Sequence, residues 1–246
     1  MRPGGVPPSV AAMSNQIALI TGASRGLGRA LAAGLAREGF ALIIDARDAA
    51  ALEAAAADIR AQGGTVTAVP GDLTDPAHRA ALREAAEQAG RLDLLVNNAG
   101  TLGASPLPAL ADYPVDELRA ALEVNVIAPI ALTQLMLPML RACGGAVLNI
   151  TSDAAVEAYA GWGGYGAAKA ALEQASNVLA AEELAVRVWW ADPGDLRTDM
   201  HQQAFPGQDI SDRPRPESVV PAFTRLVTER LPSGRYRAAH LMPAAR

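Results

Sequence analysis

The sequence predicts an α/β fold, a single doubly wound domain whose parallel sheet of about seven strands carries helices on both faces. Three observations predict it. From Asn15 onward, short apolar runs alternate with longer helical segments. A glycine-rich turn joins the first apolar run to the first helix. The length of 246 residues suits one such domain, since α/β domains of up to ~250 residues occur undivided.

The predicted elements follow from apolar periodicity and from the turn residues between the runs. Strands are predicted at 16–21, 40–45, 65–70, 92–96, 145–151 and 186–191, with a further one near 235–241. Helices are predicted at 26–38, 48–62, 75–89, 115–141, 165–183 and 216–230. Residues 1–13 are rich in proline and glycine and lack the apolar core of a signal peptide, so we expect a disordered extension before one domain over 14–246.

Composition and charge argue against several classes of function. Half of the residues are hydrophobic and the formal net charge is −5, which gives no reason to expect nucleic acid or an anionic membrane as partner. No apolar run reaches the ~20 residues of a membrane span. The only cysteine, Cys143, cannot form an internal disulfide, which fits the reducing cytoplasm. The three histidines are scattered, so no metal site is predicted.

The first apolar run, 17–20, leads into a glycine-rich turn that predicts an anion site. Gly22, Gly26 and Gly28 leave room for a tight turn and for backbone close to a ligand. The helix after them directs free N–H groups and a positive dipole end at that ligand, and a diphosphate suits this place. The glycines also have a purely structural alternative.

The end of the second strand bears on which dinucleotide would bind. An acidic residue here binds a ribose 2′-hydroxyl, whereas an arginine accommodates a 2′-phosphate. Arg25 and Arg47 could form a phosphate clamp, whereas Asp45 argues for the hydroxyl if its side chain points into the site. One residue of register turns a strand side chain to the opposite face, so the residues alone leave both readings open.

A phenol and an ammonium lie one helical turn apart later in the chain. Tyr165 and Lys169 are at i and i+4, which makes them neighbours on a helix surface, and Ser152 precedes the tyrosine by thirteen residues. A tyrosine titrates near ~10, and a nearby cation is expected to lower that pKa and make the phenol a usable acid–base. The alternative is a surface Tyr–Lys pair on an ordinary helix.

These motifs occur in one order, and together they identify a family resemblance. The chain resembles the short-chain dehydrogenases/reductases of the compact single-domain branch, which have a Rossmann fold. The resemblance covers about residues 16–200. The motifs that carry it are TGASRGLG (21–28), Asp72, NNAG (97–100), Asn125 in EVNV, Ser152 in ITS, YGAAK (165–169) and PGDLRT (193–198).

The resemblance implies a catalytic role for four residues. Tyr165 would be the acid–base, and Lys169 would bind the nicotinamide ribose while lowering the phenol's pKa. Ser152 would hydrogen-bond the substrate carbonyl or alcohol. Asn125 would hold a helix kink and a water that links Lys169 to solvent, although a buried asparagine satisfied by backbone is the alternative.

The resemblance also implies a cofactor site and a substrate site. Ala46 stands where NAD-preferring members carry aspartate, and Arg47 follows at the 2′-phosphate position, so NADP(H) is favoured and NAD(H) remains possible. Asp72 would meet the adenine, or would instead cap the next helix. The cofactor residues are Gly22, Ser24, Arg25, Gly26, Leu27, Gly28, Arg47, Asp72, Leu73, Asn98, Ala99, Gly100, Tyr165, Lys169, Pro193, Gly194 and Thr198. The substrate residues are Asp153, Trp162, Asp195 and Phe205, with Glu157 and His201 close to them.

The expected function is therefore hydride transfer between NADP(H) and a small-molecule carbonyl or alcohol. The alternative is a sensor or scaffold protein that binds NAD(P) without catalysis. The polar, proline-rich segment 199–218 is expected to be a substrate loop. A homodimer or homotetramer is expected through helices 115–141 and 165–183. Two features depart from the family pattern: Trp189, Trp190 and Asp192 stand where smaller residues are usual, and the C-terminus lacks a glycine-rich ending.

Overall fold

The computed structural model describes residues 16–242. The predicted extension, 1–13, lies outside this range. Within it, seven strands form one parallel sheet in the order β3-β2-β1-β4-β5-β6-β7. The strands are β1 (Ile17–Ile20), β2 (Ala41–Ala46), β3 (Val66–Pro70), β4 (Leu94–Asn97), β5 (Ala146–Ile150), β6 (Arg187–Asp192) and β7 (Gly234–Arg237).

Helices connect the strands and cover both faces of the sheet. They are α1 (Gly26–Arg37), α2 (Ala49–Ala61), α3 (Pro76–Ala89), α4 (Val115–Leu122), α5 (Ala128–Cys143), α6 (Gly163–Glu182), α7 (Asp199–Ala204), α8 (Val220–Thr228) and α9 (Ala238–Leu241). The predicted fold class, a doubly wound parallel sheet, is confirmed. The strand order reverses between β1 and β4, and ligands bind at the carboxyl ends of strands beside such a reversal.

A hydrophobic core lies on each face of the sheet because the central strands are apolar along their whole length. Successive strand residues point to opposite faces, so Ile20 joins the core beneath α1 and α8, while Leu19 joins the core beneath α3 and α5. Trp189 is fully buried in the first of these cores, and its indole N–H donates to the carbonyl of Leu231 over 2.9 Å. This departure from the family pattern therefore fills the core beneath α8.

The structure corrects several predicted boundaries. The last strand ends at Arg237 and α9 begins at Ala238, so 238–241 is helix. The segment 199–218, expected to be a loop, starts with the short helix α7, which the Thr198 hydroxyl caps by accepting from the N–H of His201 over 3.1 Å. The predicted helix 115–141 is interrupted by a π-helical segment, Glu123–Ile127, between α4 and α5.

The helical run Val115–Cys143 is long and apolar enough to cross a membrane by length and composition alone. Half of its most apolar stretch is buried inside the domain. Its buried residues Leu132, Met136 and Leu140 belong to the core beneath α3 and α5. Packing in a core therefore accounts for its apolar character.

Candidate active site

The side chains of Ser152, Tyr165 and Lys169 come together at the carboxyl end of β5. Ser152 follows that strand, and α6 carries Tyr165 and Lys169 one turn apart. Tyr165 is 9% exposed and Lys169 is 3% exposed. The Lys169 ammonium lies 5.5 Å from the centroid of the Tyr165 ring and donates to the Ile150 carbonyl over 2.8 Å. The pair is therefore buried inside the domain, unlike a surface Tyr–Lys pair.

The expectation that the Lys169 ammonium lowers the pKa of the Tyr165 phenol is not met, because other effects raise that pKa. Burial raises the pKa of Tyr165, the charges of Asp192 and Asp153 raise it further, and interaction with the Ser152 hydroxyl lowers it. Burial also lowers the pKa of Lys169 to about 8. Removal from water destabilises the phenolate, and this cost dominates in the structure. The phenol of Tyr165 is therefore a weaker acid in this environment than in water.

Asn125 lies in the π-helical segment, which turns its buried amide toward the loop after β4. Its Oδ1 accepts from the N–H of Thr101 over 3.0 Å, and its Nδ2 donates to the carbonyl of Thr101 over 2.8 Å. A Cβ added at Gly100 would lie 2.8 Å from this Oδ1 and 3.8 Å from the Lys169 Nζ. The backbone therefore satisfies Asn125 next to Lys169, and its role in a proton relay stays a prediction.

The hydroxyl of Ser152 is bonded to its sequence neighbour. It donates to Oδ1 of Asp153 over 2.9 Å and accepts from the N–H of Ala154 over 3.2 Å. The second oxygen of Asp153 accepts from the Tyr159 hydroxyl over 3.0 Å. Glu157 is exposed, and its carboxylate lies 3.1 Å from the same hydroxyl. The predicted substrate residue Asp153 thus directly contacts the predicted catalytic serine.

The glycine-rich turn after β1 forms a close-packed cradle. Gly22 has a φ of +67°, which favours glycine. A Cβ added at Gly28 would collide with the carbonyl oxygen of Gly22, so the helix can approach the turn this closely only with glycine there. Asn98 joins the turn to β4 because its Nδ2 donates to the Thr21 carbonyl over 2.8 Å. Ala99 donates its N–H to the Thr21 hydroxyl over 3.0 Å.

The remaining predicted turn residues differ in exposure. Arg25 is exposed and pairs with Asp199 over 3.3 Å, Ser24 is half-buried, and Leu27 is buried in the core. Thr198 lies against Gly26, with its Cγ2 3.6 Å from a Cβ added there. The start of α1 and the residues after β6 therefore lie against each other.

The carboxylate of Asp45 points into the domain, which settles the register question at the end of β2. The residue is 2% exposed. Its Oδ1 accepts from the N–H of Gly22 over 2.9 Å, and its Oδ2 lies 3.0 Å from Nε2 of His78. Both oxygens are therefore used inside the fold, and the residue at the rim is the exposed Arg47.

The structure shows which aspartate caps α3. Asp75 is the N-cap of α3 and accepts from the N–H of Ala77 over 2.8 Å. Asp72 instead accepts from the backbone N–H of Thr74 over 2.9 Å and from its hydroxyl over 2.8 Å, and these bonds lower the pKa of Asp72. The capping alternative for Asp72 is wrong. Its side chain is exposed, while the adjacent Leu73 is buried.

The loop after β6 is shaped by a buried carboxylate. Asp192 is 5% exposed, and its Oδ1 accepts from the N–H of Gly194 over 2.8 Å, across Pro193. Burial is the main cause that raises the pKa of Asp192, and the nearby charge of Asp153 also raises it. This carboxylate lies close enough to Tyr165 to raise the pKa of the phenol.

Aromatic side chains form one wall beside Tyr165. Trp162 packs edge-on against the Tyr165 ring with centroids 5.8 Å apart, and Phe205 lies 6.0 Å from Trp162. His201 lies 4.9 Å from Phe205. Leu102, Ala154 and Ala204 are buried in the same small cluster. The predicted substrate residues Trp162 and Phe205 are therefore brought together next to the phenol.

Asp195 does not join this aromatic wall. Its side chain is exposed, with Arg213 at 3.6 Å and His201 at 3.9 Å. Burial is the main cause that lowers the pKa of His201, and the charge of Asp195 opposes it. These side chains connect the loop after β6 with α7 and the polar segment beyond it.

Several site residues were not found from the sequence. Glu173, Arg235 and Arg237 surround the end of β5 and β6, and His78 holds Asp45. No local pattern signals these pairs, because their members are separated by 33 to 83 positions. Over residues 16–242, no group of three His, Cys, Asp or Glu side chains is arranged to hold a metal ion.

Comparison with known proteins agrees with this architecture. The family model of the short chain dehydrogenases matches residues 16–209. The rhamnolipids biosynthesis 3-oxoacyl-[acyl-carrier-protein] reductase of Pseudomonas aeruginosa is 40% identical over 181 residues, which cover 69% of this chain and 68% of that protein.

Two solved structures share the fold over nearly the whole chain. A short chain dehydrogenase from Shigella flexneri 2a strain 301, complexed with NADP, has a TM-score of 0.87 and 30% identity, covering 92% of this chain and 98% of that one. A second from Escherichia coli CFT073, complexed with NADPH, has a TM-score of 0.85 and 30% identity, covering 94% and 99%. The chain belongs to the short chain dehydrogenase family of oxidoreductases.

Proposed function

We propose that the protein is an NADP(H)-dependent oxidoreductase that interconverts a carbonyl and an alcohol, with Tyr165 as the acid–base. The observation that carries the proposal is the buried Tyr165, beside both Lys169 and Ser152 and facing an aromatic wall at the carboxyl end of the sheet. A buried phenol with a perturbed pKa in a cleft is typical of a functional group. Membership of the short chain dehydrogenase family does not depend on this proposal.

The residues at the nucleotide end fit a dinucleotide with a 2′-phosphate. The cradle at Gly22 and Gly28 and the N-terminus of α1 suit a diphosphate. Asp45 is turned inward and cannot bind a ribose 2′-hydroxyl, whereas Arg47 is exposed at the rim. An exposed guanidinium can pair bidentately with a phosphate. Two structural relatives were solved with NADP or NADPH, which supports the same choice.

The proposed reaction assigns a distinct task to each side chain. NADPH, when bound, supplies the hydride. Tyr165 donates its proton to the carbonyl oxygen as negative charge grows there. Ser152 donates a second hydrogen bond to the same oxygen, exchanging its present acceptor, Asp153, for the substrate. Lys169 places a positive charge next to the phenol and helps to stabilise the phenolate left after transfer.

The aromatic wall indicates the general character of the substrate. Trp162 and Phe205 offer ring faces for a ring-containing or extended apolar body next to the reacting carbonyl. Asp153 adds a carboxylate at the other side of Ser152. We therefore expect a moderately polar carbonyl compound. The single cysteine fits a cytoplasmic location, and the helices 115–141 and 165–183 are the expected surface of a homodimer or homotetramer.

A coenzyme and substrate screen tests the proposal. Purified protein is mixed with NADPH or NADH and a panel of aldehydes and ketones, and coenzyme oxidation is followed by absorbance. We expect turnover of at least one ring-containing carbonyl compound, at a higher rate with NADPH than with NADH. Tight NADPH binding without turnover across the panel would favour the alternative, a sensor or scaffold protein without catalysis.

A further inference from the structure

A partly buried ion pair joins the last strand to the helix that carries Tyr165. Arg235 lies in β7, and its Nε donates to both carboxylate oxygens of Glu173 in α6, over 3.0 and 3.1 Å. Its Nη2 donates to the backbone carbonyl of Ser152 over 3.2 Å. One guanidinium therefore contacts α6 and the main chain of the predicted catalytic serine at the same time.

Glu173 also contacts the residue before that serine. Its Oε1 accepts from the Thr151 hydroxyl over 2.7 Å. Glu173 is 9% exposed and Thr151 is fully buried. Arg235 and Glu173 thus hold two consecutive residues at the end of β5, one by its side chain and the other by its carbonyl. The contacts limit the backbone rotation that would swing the Ser152 hydroxyl away from Tyr165.

Chemistry explains why these two residue types can hold a loop in place. A guanidinium has a planar fork of five donors, so it can bind a carboxylate and a carbonyl together without changing its orientation. Hydrogen bonds with charged partners are shorter and stronger than neutral ones. Without Arg235, the Glu173 carboxylate would keep only the Thr151 hydroxyl among these contacts, and a buried charge left without its partner is strongly destabilising.

A neighbouring pair shows that the contact with Ser152 is not general along β7. Arg237 bonds Glu157 over 2.9 Å, but both side chains are about half exposed. Exposed pairs contribute little to stability, and this one touches neither Thr151 nor Ser152. Arg235 and Glu173 are therefore set apart by burial and by the main chain they contact.

We infer that Arg235 and Glu173 are positioning residues for Ser152, which hold its hydroxyl in line with Tyr165 and the substrate oxygen. The inference rests on the proposed reductase function, and adds to it two residues that act through the serine. Misplacement of a reacting group by about 1 Å can slow a reaction by ~100-fold. Loss of this pair is expected to lower kcat and to leave NADPH binding unchanged.

A double-mutant cycle tests the inference. Arg235→Met is made in the natural sequence and in the Ser152→Ala background, and kcat, KM and the dissociation constant for NADPH are measured for each. We expect Arg235→Met alone to lower kcat between about tenfold and a hundredfold. In the Ser152→Ala background, the same change is expected to lower kcat by less than about threefold, because residues that act as a unit are non-additive.

The matched control breaks an arginine–glutamate pair at the far end of α6. Arg141 donates from Nε to Glu183 over 2.8 Å and contacts neither Thr151 nor Ser152. Arg141→Met is expected to leave kcat within about twofold, since an ion pair near the surface contributes little. Arg235→Lys, which keeps the positive charge and loses the fork, carries the test if Arg235→Met does not fold.

Hydrogen exchange supplies a readout that does not need turnover. Exchange of the amides in 151–155 is expected to quicken in Arg235→Met and to stay unchanged in Arg141→Met. Two results would overturn the inference while leaving the proposed function intact. One is that Arg235→Met lowers kcat by the same factor in the natural sequence and in the Ser152→Ala background. The other is unchanged amide exchange in 151–155. Failure of the natural protein to reduce any carbonyl would overturn the proposed function instead, and unchanged exchange would still count against the pair.

Discussion

Two regions at the carboxyl edge of the sheet each contain a buried carboxylate, but the two carboxylates have different effects. The nucleotide end comprises the turn after β1 and the end of β2, and the chemistry end comprises the ends of β5 and β6 together with Tyr165. At each end a buried carboxylate closes a strand and accepts a glycine N–H: Asp45 from Gly22 over 2.9 Å, and Asp192 from Gly194 over 2.8 Å. The second oxygen of Asp45 has His78 at 3.0 Å. Among residues 16–242, the second oxygen of Asp192 is paired only with the Nε of Arg237, at 3.8 Å.

This difference separates a structural carboxylate from one that tunes a reacting group. Asp45 is bonded at both oxygens and shapes the turn that holds the diphosphate in the proposed complex. Asp192 keeps an incompletely paired charge close to Tyr165, and that charge helps to raise the pKa of the phenol. A carboxylate at the end of a strand thus fixes the conformation of the next loop when both of its oxygens are hydrogen-bonded. When one oxygen lacks a close partner, the charge shifts the pKa values of neighbouring groups instead.

Apart from Tyr165→Phe, the largest expected effect comes from Lys169, which lies beside Tyr165 and is expected to bind the nicotinamide ribose. Lys169→Met removes the ammonium beside Tyr165 and, by family resemblance, a contact with the nicotinamide ribose. Turnover is expected to fall at least about a hundredfold, the scale of acid–base catalysis, and NADPH binding is expected to weaken as well. Steady-state kinetics and equilibrium titration measure the two losses. Unchanged NADPH binding would place Lys169 at the chemistry end alone.

The next effect sharpens the assignment of Asp45 as structural. Asp45→Ala leaves the Gly22 N–H and the His78 ring buried without their acceptor, so the free energy of unfolding is expected to fall by about 3 kcal/mol. Urea denaturation measures it. Asp48→Ala, which removes the exposed N-cap of α2, is the control and is expected to cost about 1 kcal/mol. A shift of coenzyme preference in Asp45→Ala would show instead that this carboxylate faces the ribose.

A smaller effect concerns the pH dependence of stability. The pKa of Lys169 in the folded protein is about 8, below its ordinary value of 10.5, because of burial. Between these values the unfolded chain binds more protons, so the contribution of Lys169 to stability rises with pH and is lost as pH falls through 8. Relative to Lys169→Met, the natural protein is expected to gain about 2 kcal/mol between pH 7 and 10. A difference that stays constant over this range would contradict the burial of the charge.

The smallest effect probes coenzyme choice at the rim. Arg47→Ala is expected to lower kcat/KM for NADPH about tenfold and to leave NADH nearly unaffected, since a hydrogen bond with a charged partner contributes about 1.5–3 kcal/mol. Arg83→Ala, which removes an exposed arginine paired with Glu87 on α3, is the control and should change neither value. Equal losses with both coenzymes would mean that Arg47 does not contact the 2′-phosphate.

Much of the fold could be predicted because its signals are local. Apolar runs of four to six residues, glycine turns and helical periodicity lie within single segments, and they correctly predicted the parallel sheet. The π-helical segment at Glu123–Ile127 was not predicted from periodicity, because a change of hydrogen-bond register leaves the apolar pattern almost unchanged. The short helix α7 was missed because polar residues and prolines surround it.

The site residues that lie within one sequence motif could be predicted. Those that only the tertiary structure brings together could not. The spacing of Tyr165 and Lys169 put them on one helix face, and the structure has them there. The direction of the phenol's pKa was wrong, because the sequence shows the neighbouring cation and hides the burial and the charge of Asp192. Arg235 and Glu173 are 62 positions apart, so only the folded chain brings them together.

The central claim is that the buried phenol of Tyr165 donates the proton, while other residues bind the nucleotide. The Tyr165→Phe variant tests this claim most directly. This change removes one hydroxyl and keeps the ring that packs against Trp162. The account predicts a fall in kcat of about 10²–10⁴-fold, with the NADPH dissociation constant within about twofold of the natural protein. Turnover retained at the natural rate would contradict it.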